Sequence, residues 1–217
     1  RDLRDLDFVT IDGKMARDFD DAVCVIPDSD KTGGFRLFVA IADVAHYVRP
    51  KDPVDQEALI RGTSVYFPTH AVPMLPEELS NNLCSLRPNV NRLTLTCEMR
   101  IDRSGEVIGY SLSESIIRSR ARLIYEDVAD LLDGRTSSIS SPELQANIRK
   151  MDKLAKILQQ KRIKRGAVQF SFAEEVFEFD SDQKMTGIDR SYQSSAMKLI
   201  EQFMLEANET VARHCVK

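Results

Sequence analysis

Four aspartates lie within ten positions near the start of the chain: Asp12, Asp18, Asp20 and Asp21. Gathering like charges on one loop costs free energy unless protons or a cation compensate them. Carboxylate oxygens are the ligands that hard divalent cations prefer, and Mg²⁺ keeps several waters that phosphate oxygens can replace. The cluster therefore predicts a metal site for Mg²⁺, or for Mn²⁺ as its alternative, with phosphodiester hydrolysis as its natural reaction.

A solvated acidic turn is the competing interpretation, and for an arbitrary pair of aspartates it would be the better one. Here the aspartates are flanked by strand-like apolar segments, at 8–11 on one side and at 22–26 on the other. Such a strand–loop–strand junction would bring the charged side chains to one end of a strand pair. The flanking pattern therefore favours a functional site over a plain turn.

Hydrophobic periodicity predicts the elements that must position this cluster. Strands are expected at 8–12, 22–26, 35–42, 92–101, 106–118, 167–172 and 175–180. Helices are expected at 54–61, from 142 to near 166, and from 194 to the terminus, with a long structured loop at 64–90. Because the strands come in hairpins, the predicted fold class is α+β, with a mainly antiparallel or mixed sheet flanked by helices.

Composition limits the class of protein. A chain of 217 residues with 42% hydrophobic content is long enough to bury a core, and its net charge of −4 does not indicate a generally basic nucleic-acid binder. The four cysteines are scattered without a C-x-x-C pair, which predicts reduced thiols that are mostly buried. No segment has the apolar length of a membrane span. We expect a cytoplasmic protein without a membrane partner, and an excised part of a longer chain.

The segment at 7–23, DFVTIDGKMARDFDDAV, resembles the signature of the ribonuclease II/ribonuclease R (RNB) family. Further matching segments follow in the same order at 39–48, 61–68, 72–86, 165–170 and 198–212, and they lean toward the bacterial ribonuclease R branch. The resemblance implies that 1–217 is an incomplete RNB catalytic domain without its flanking oligonucleotide-binding domains. It also implies a 3′-to-5′ exoribonuclease that releases nucleoside 5′-monophosphates from single-stranded RNA by a two-metal mechanism.

The resemblance assigns the four aspartates as the metal-binding and catalytic set, with Asp20 as the least replaceable member. Tyr66 matches an aromatic that stacks on the terminal nucleotide, although the residue pattern alone favours a core aromatic between two apolar neighbours. Phe170 matches a second stacking aromatic. Glu201 interrupts an apolar stripe of the last helix, which indicates either substrate contact, as the resemblance implies, or a nearby arginine partner.

Other functional classes stay open at this stage. A non-catalytic RNA-binding relative could retain the fold, and an isolated part of an enzyme could be inactive. The family's catalytic arginine belongs to a region beyond residue 217, and loss of one charge-stabilising group commonly costs about 10²-fold or more in rate. A DNA exonuclease using the same metals is the third possibility, and it differs in whether the site senses the ribose 2′-hydroxyl.

Overall fold

A computed structural model describes residues 1–29, 33–67, 70–168, 173–180 and 184–216. The strands are β1 (Val9–Asp12), β2 (Asp21–Pro27), β3 (Phe35–Ala42), β4 (Val65–Tyr66), β5 (Ala71–Val72), β6 (Asn91–Ile101), β7 (Val107–Arg118), β8 (Ala121–Ile124), β9 (Glu174–Phe179) and β10 (Met185–Ser191). The helices are α1 (Val44–Tyr47), α2 (Pro53–Arg61), α3 (Tyr125–Leu132), α4 (Pro142–Lys164) and α5 (Ser195–Cys215), with a π-helical turn at Glu78–Leu83.

A mixed sheet of six strands in the order β7-β6-β3-β2-β1-β8 forms the centre of the described part of the chain. Neighbouring strands run antiparallel except β1 and β8, which are parallel and pair Thr10 with Arg122. Only Ser119 and Arg120 separate β7 from β8, although these strands lie at opposite edges of the sheet order. The sheet must therefore curl strongly, and the predicted α+β class with a mixed sheet is confirmed.

Each face of the sheet covers its own hydrophobic core, which explains why the strands alternate as they do. Val9 and Ile11 of β1 lie in the larger core, against α3, α4 and α5. Phe8 and Phe19 lie in the smaller core on the other face, with the segment around Leu86. Residue 12 thus ends a strand that is fixed by packing on both sides, so the first aspartate is placed by the sheet itself.

Several sequence-based predictions can be compared with these elements. The predicted strands at 8–12, 22–26, 35–42, 92–101, 106–118 and 175–180 and the three predicted helices are present, with boundaries shifted by one or two residues. Residues 169–172 of the predicted strand at 167–172 lie outside the described residues. The strands β4, β5, β8 and β10 and the helices α1 and α3 were not predicted.

The cysteines have the state that the sequence predicts. Cys24, Cys84 and Cys97 are buried, Cys215 is exposed, and all four are free thiols, as predicted. No described helix combines the length and the apolar content that crossing a bilayer requires.

One ion pair is buried between α4, α5 and the β6–β7 turn. The Lys161 ammonium donates to Glu206 Oε1 at 3.1 Å and to the Gly105 carbonyl oxygen at 2.9 Å. Only 8% of the Lys161 side chain and 4% of the Glu206 side chain are exposed. Each charge therefore depends on the other for the solvation that it has lost.

We expect Lys161→Met to lower the free energy of unfolding by about 3 to 5 kcal/mol, because it leaves the Glu206 carboxylate buried without its cation. Urea denaturation measures this loss. Lys156→Met is the matched control on the same helix, where an exposed lysine pairs with Asp152 at 2.7 Å; we expect a change of about 0.5 kcal/mol or less there. Equal losses in the two variants would show that burial of the pair is unimportant.

Candidate active site

The four aspartates lie at one end of the β1–β2 strand pair. Asp12 is the last residue of β1 and Asp21 is the first residue of β2, while Asp18 and Asp20 lie in the loop 13–20 that joins them. The antiparallel register pairs Val9 with Val23, which places the end of β1 beside the start of β2. The structure thus brings together the residues that the sequence grouped.

The loop 13–20 is anchored on one side by the segment around Ser85. The Ser85 hydroxyl accepts a hydrogen bond from the Phe19 backbone N–H at 3.1 Å and donates to the Arg17 carbonyl at 2.9 Å. The Leu86 backbone N–H donates to the Phe19 carbonyl at 2.8 Å. Phe19 is itself buried in the smaller core, so these bonds fix the loop between Asp18 and Asp20.

The same loop is anchored on its other side by Arg122 of β8. Its guanidinium Nη2 donates to the carbonyls of Gly13 at 2.8 Å and Lys14 at 2.9 Å. The guanidinium carbon also lies 5.5 Å from the centre of the Phe19 ring, within cation–π distance. Arg122 therefore contacts both halves of the loop that carries the aspartates.

Burial, together with the negative charge of a neighbouring aspartate, raises the pKa of three carboxylates in this cluster. Burial raises the pKa of Asp12 to about 7, and the charge of Asp21 adds to the effect while the positive charge of Arg122 opposes it. Burial and the charge of Asp20 raise the pKa of Asp21 to about 6. Partial loss of water and the charge of Asp18 raise the pKa of Asp20 as well. The four side chains are thus close enough to interact electrostatically.

The chemistry of these donors fits a hard divalent cation. The cluster offers carboxylate oxygens, and the buried Asp12 Oδ2 has no hydrogen-bond partner. Buried acceptors are nearly always satisfied, so this atom needs a proton, a water or an ion. Within the described residues, however, no group of three or more His, Cys, Asp or Glu side chains is placed so that it could hold a metal ion. The arrangement suits an open site, in which a cation binds one or two carboxylates and takes its other ligands from water or substrate.

An open cavity of about 750 Å³ lies beside the cluster, and the hairpin formed by β4 and β5 provides part of its wall. Tyr66 on this hairpin is 71% exposed, and its hydroxyl donates to Asp18 Oδ2 at the long distance of 3.5 Å. Phe67 stacks on His70 in the same wall, with 4.8 Å between ring centres. The alternative that Tyr66 is a core aromatic is wrong, because its ring faces the cavity instead of the core.

Tyr125 is a site residue that the sequence did not identify. It begins α3 directly after β8, and burial, followed by the charges of Asp12 and Asp21, raises its pKa to about 12. Its hydroxyl therefore stays protonated as a hydrogen-bond donor beside Asp12 and Asp21. Tyr125 escaped notice because a lone tyrosine before a short helix has no motif, and only the parallel pairing of β8 with β1 brings it to the site.

The two remaining predicted site residues have different outcomes. Phe170 lies outside the described residues. Glu201 is partly buried on α5 and accepts a hydrogen bond from Gln193 Nε2 at 2.7 Å, so its partner is an amide instead of the arginine that was considered. Among the described residues, no hydrogen bond or ion pair links Glu201 to the aspartates. Its predicted contact with substrate stays a prediction.

The raised pKa values predict how stability depends on pH in the metal-free protein. The folded-state pKa values of Asp12, about 7, and Asp21, about 6, lie above the ordinary unfolded value of about 3.9. The folded state therefore binds these protons more tightly, and the free energy of unfolding should fall as pH rises from about 4 to about 7. Urea denaturation in a chelator at several pH values measures the slope.

Asp12→Asn removes the group with the higher pKa, so we expect a flatter slope and a variant more stable than the original chain at pH 8. Addition of Mg²⁺ at pH 8 should stabilise the original chain more than the variant, because the cation replaces the missing proton. An unchanged slope in Asp12→Asn would show that Asp12 is not the titrating group.

Comparison with known proteins places this site in a family. All of residues 1–217 match the family model described as RNB domain. Ribonuclease R of Escherichia coli (strain K12) is 45% identical over 217 residues, which are 100% of this chain and 26% of that protein. The structure of Mycoplasma genitalium RNase R in complex with ribose methylated single-stranded RNA is similar with a TM-score of 0.94 and 35% identity, over 100% of this chain and 33% of that one.

A more distant neighbour shares the fold alone. Yeast Ssd1, described as a pseudonuclease, is similar with a TM-score of 0.74 and 20% identity, over 98% of this chain and 26% of that one. This chain thus spans about a quarter to a third of the relatives that it matches. With a family model matched over its whole length and a ribonuclease R relative at 45% identity, the chain belongs to the RNB-domain family.

Proposed function

We propose that this chain is an incomplete catalytic domain of a cytoplasmic 3′-to-5′ exoribonuclease, which hydrolyses single-stranded RNA to nucleoside 5′-monophosphates. The observation that carries the proposal is the group of four interacting carboxylates beside an open cavity whose wall presents an exposed tyrosine. Carboxylates of this kind serve phosphodiester hydrolysis through metal ions, and an exposed aromatic ring suits a nucleobase.

Asp12, Asp18, Asp20 and Asp21 are the proposed ligands of Mg²⁺, which Mn²⁺ could replace. When bound as a pair, such ions activate a water and stabilise the leaving oxygen of a phosphodiester. Asp12 and Asp21 belong to the strands and form the rigid side of the site, while Asp20 is exposed in the loop. Tyr125 keeps its proton beside them and can donate a hydrogen bond to a substrate oxygen.

The proposed substrate is supported by the cavity and by a relative. Stacking on Tyr66 would hold a base without reading its sequence, which suits RNA degradation of any sequence. The M. genitalium relative is described in complex with single-stranded RNA. By the family resemblance, Phe170 would be a second stacking aromatic and Glu201 would contact the terminal nucleotide. A charge-stabilising arginine and oligonucleotide-binding domains would come from other parts of the protein, so activity should be measured in the whole protein that carries this domain.

The competing proposal is a relative that binds RNA without cleaving it. The fold alone does not decide between them, since the pseudonuclease Ssd1 has a similar fold. The presence of all four aspartates favours the enzyme, because without a cation to hold, the cluster only destabilises the folded chain. A DNA exonuclease is the remaining alternative. Release of mononucleotides from RNA but not from a DNA oligomer of the same sequence would support the ribonuclease against both alternatives.

Asp20→Asn in the whole protein is expected to lower kcat by about 10²-fold or more, because it removes a proposed metal ligand at the reacting phosphate. Mononucleotide release from single-stranded RNA in Mg²⁺ measures the rate, and filter binding should show that RNA is still bound. Asp7→Asn makes the same chemical change in an aspartate that pairs with Arg120 outside the site. If both variants kept full activity, the proposed catalytic role of Asp20 would be refuted.

Tyr66→Ala is expected to raise KM for RNA by about 10- to 100-fold, because stacking of an aromatic ring on a base contributes about 1 to 3 kcal/mol. Tyr66→Phe keeps the ring and loses only the long hydroxyl contact with Asp18, so its KM should stay within about twofold of the original value. A KM in Tyr66→Ala that equals that of Tyr66→Phe would show that the ring does not bind the base.

A further inference from the structure

The loop 13–20 is held by two polar side chains that do not belong to the aspartate set. We propose that Ser85 and Arg122 are positioning residues of the carboxylate cluster, which fix the loop so that Asp18 and Asp20 meet the ends of β1 and β2. This inference rests on the proposed metal-dependent function and assigns the residues that prepare the site before any cation binds.

The position of Ser85 shows what it does for the loop. The residue is completely buried, and its hydroxyl makes one bond as an acceptor, from Phe19 N–H, and one as a donor, to the Arg17 carbonyl. These two backbone groups flank Asp18 in the sequence. Loop backbone groups at a buried position must find partners, and one hydroxyl here satisfies two of them. Ser85 therefore sets the backbone on both sides of one proposed ligand.

Arg122 acts on the beginning of the same loop. Its Nη2 reaches two successive carbonyls, those of Gly13 and Lys14, directly after Asp12. Its Nε is buried and has no hydrogen-bond partner, as is also true of Asp12 Oδ2. A guanidinium that served packing alone would have this donor satisfied. The guanidinium is thus fixed by the backbone and retains one donor within the buried part of the site.

Electrostatics and positioning make opposite predictions for Arg122. A positive charge beside the carboxylates repels a divalent cation, so its removal should strengthen metal binding if charge were its only effect. If Arg122 holds the loop, its removal lets the carboxylates separate, and metal binding weakens despite the more negative charge. Ser85 carries no charge, so its removal isolates the effect of positioning.

The test uses Ser85→Ala and Arg122→Met in the whole protein, with Mn²⁺ binding to the metal-free form followed by electron paramagnetic resonance. We expect each variant to bind Mn²⁺ about 10-fold more weakly, equivalent to about 1.4 kcal/mol. Ser119→Ala is the control for the serine, because Ser119 is equally buried and bonds the Ala121 carbonyl outside the loop. Arg120→Met removes the same charge at an arginine that pairs with Asp7, and it should leave the affinity within about twofold.

Hydrogen–deuterium exchange of the loop in the metal-free protein provides a second measurement that needs no cation. We expect faster exchange at 13–20 in both variants and unchanged exchange in both controls. Arg122→Lys retains the charge and one donor group, so it should recover part of the Mn²⁺ affinity and of the slow exchange. It also replaces Arg122→Met if that variant fails to fold.

The outcomes separate this inference from the proposed function. Unchanged or tighter Mn²⁺ binding in folded Ser85→Ala and Arg122→Met would overturn the positioning role, provided that the original protein binds Mn²⁺. If the original protein does not bind Mn²⁺, the proposed function fails, and loop exchange alone then decides: exchange unchanged from the original protein would overturn the inference. Weaker binding together with faster loop exchange would support it.

Discussion

The repulsion among four carboxylates held at the end of one strand pair is the constraint on which the rest of the site depends. In water, unit charges at contact distance interact by about 1 kcal/mol, but the effect grows severalfold when protein replaces the solvent. Burial, and after it the charge of a neighbouring aspartate, raises the pKa of Asp12 to about 7 and that of Asp21 to about 6. The folded chain keeps these carboxylates together because packing elsewhere holds the strands, and because a proton or a cation can compensate their charge.

The sheet holds two of the aspartates against this repulsion, and the loop anchors hold the other two. The cores on both faces of the sheet fix β1 and β2, so Asp12 and Asp21 cannot move apart without disrupting buried strands. Asp18 and Asp20 lie on a loop outside the strands, which is held by the buried Phe19 and by the hydrogen bonds of Ser85 and Arg122. The pair of Lys161 and Glu206 shows the contrast, since only 4% of the Glu206 side chain is exposed but it has its own cation. In the aspartate cluster, the charge of Arg122 opposes the raised pKa of Asp12 but does not cancel it.

The sequence could predict those features of the fold and the site that a local residue pattern determines. Long apolar strands, capped helices and the aspartate group are local features, and the structure contains them. The short strand β8 and the helix α3 after it were missed because a four-residue strand that contains an arginine and an eight-residue helix without a capping side chain give little signal. Arg122 and Tyr125 were missed because only a parallel pairing between distant segments places them at the site.

For helix α5, the sequence-based prediction of the buried face was wrong for a second reason. The predicted apolar stripe contained Met204 and Val211, but the buried face instead includes polar residues such as Gln202, Glu206 and Thr210. Helical periodicity assumes that buried residues are apolar, and this assumption fails where polar partners from other elements satisfy a buried group. Glu206, for example, faces Lys161 of α4. Glu201 was singled out because it interrupted the predicted stripe, so its place in the site depends on the family resemblance alone.

An open carboxylate site also links metal binding to RNA binding. The described side chains do not close a cage around a cation, so in the proposed function the substrate phosphate would complete its coordination. Binding free energies coupled in this way are reciprocal: whatever RNA adds to the affinity for the cation, the cation adds to the affinity for RNA. Tyr66 lies in the wall of the same cavity, within 3.5 Å of Asp18. A base that stacks there would hold its phosphate near the cluster, so recognition of a base of any sequence would itself favour assembly of the metal site.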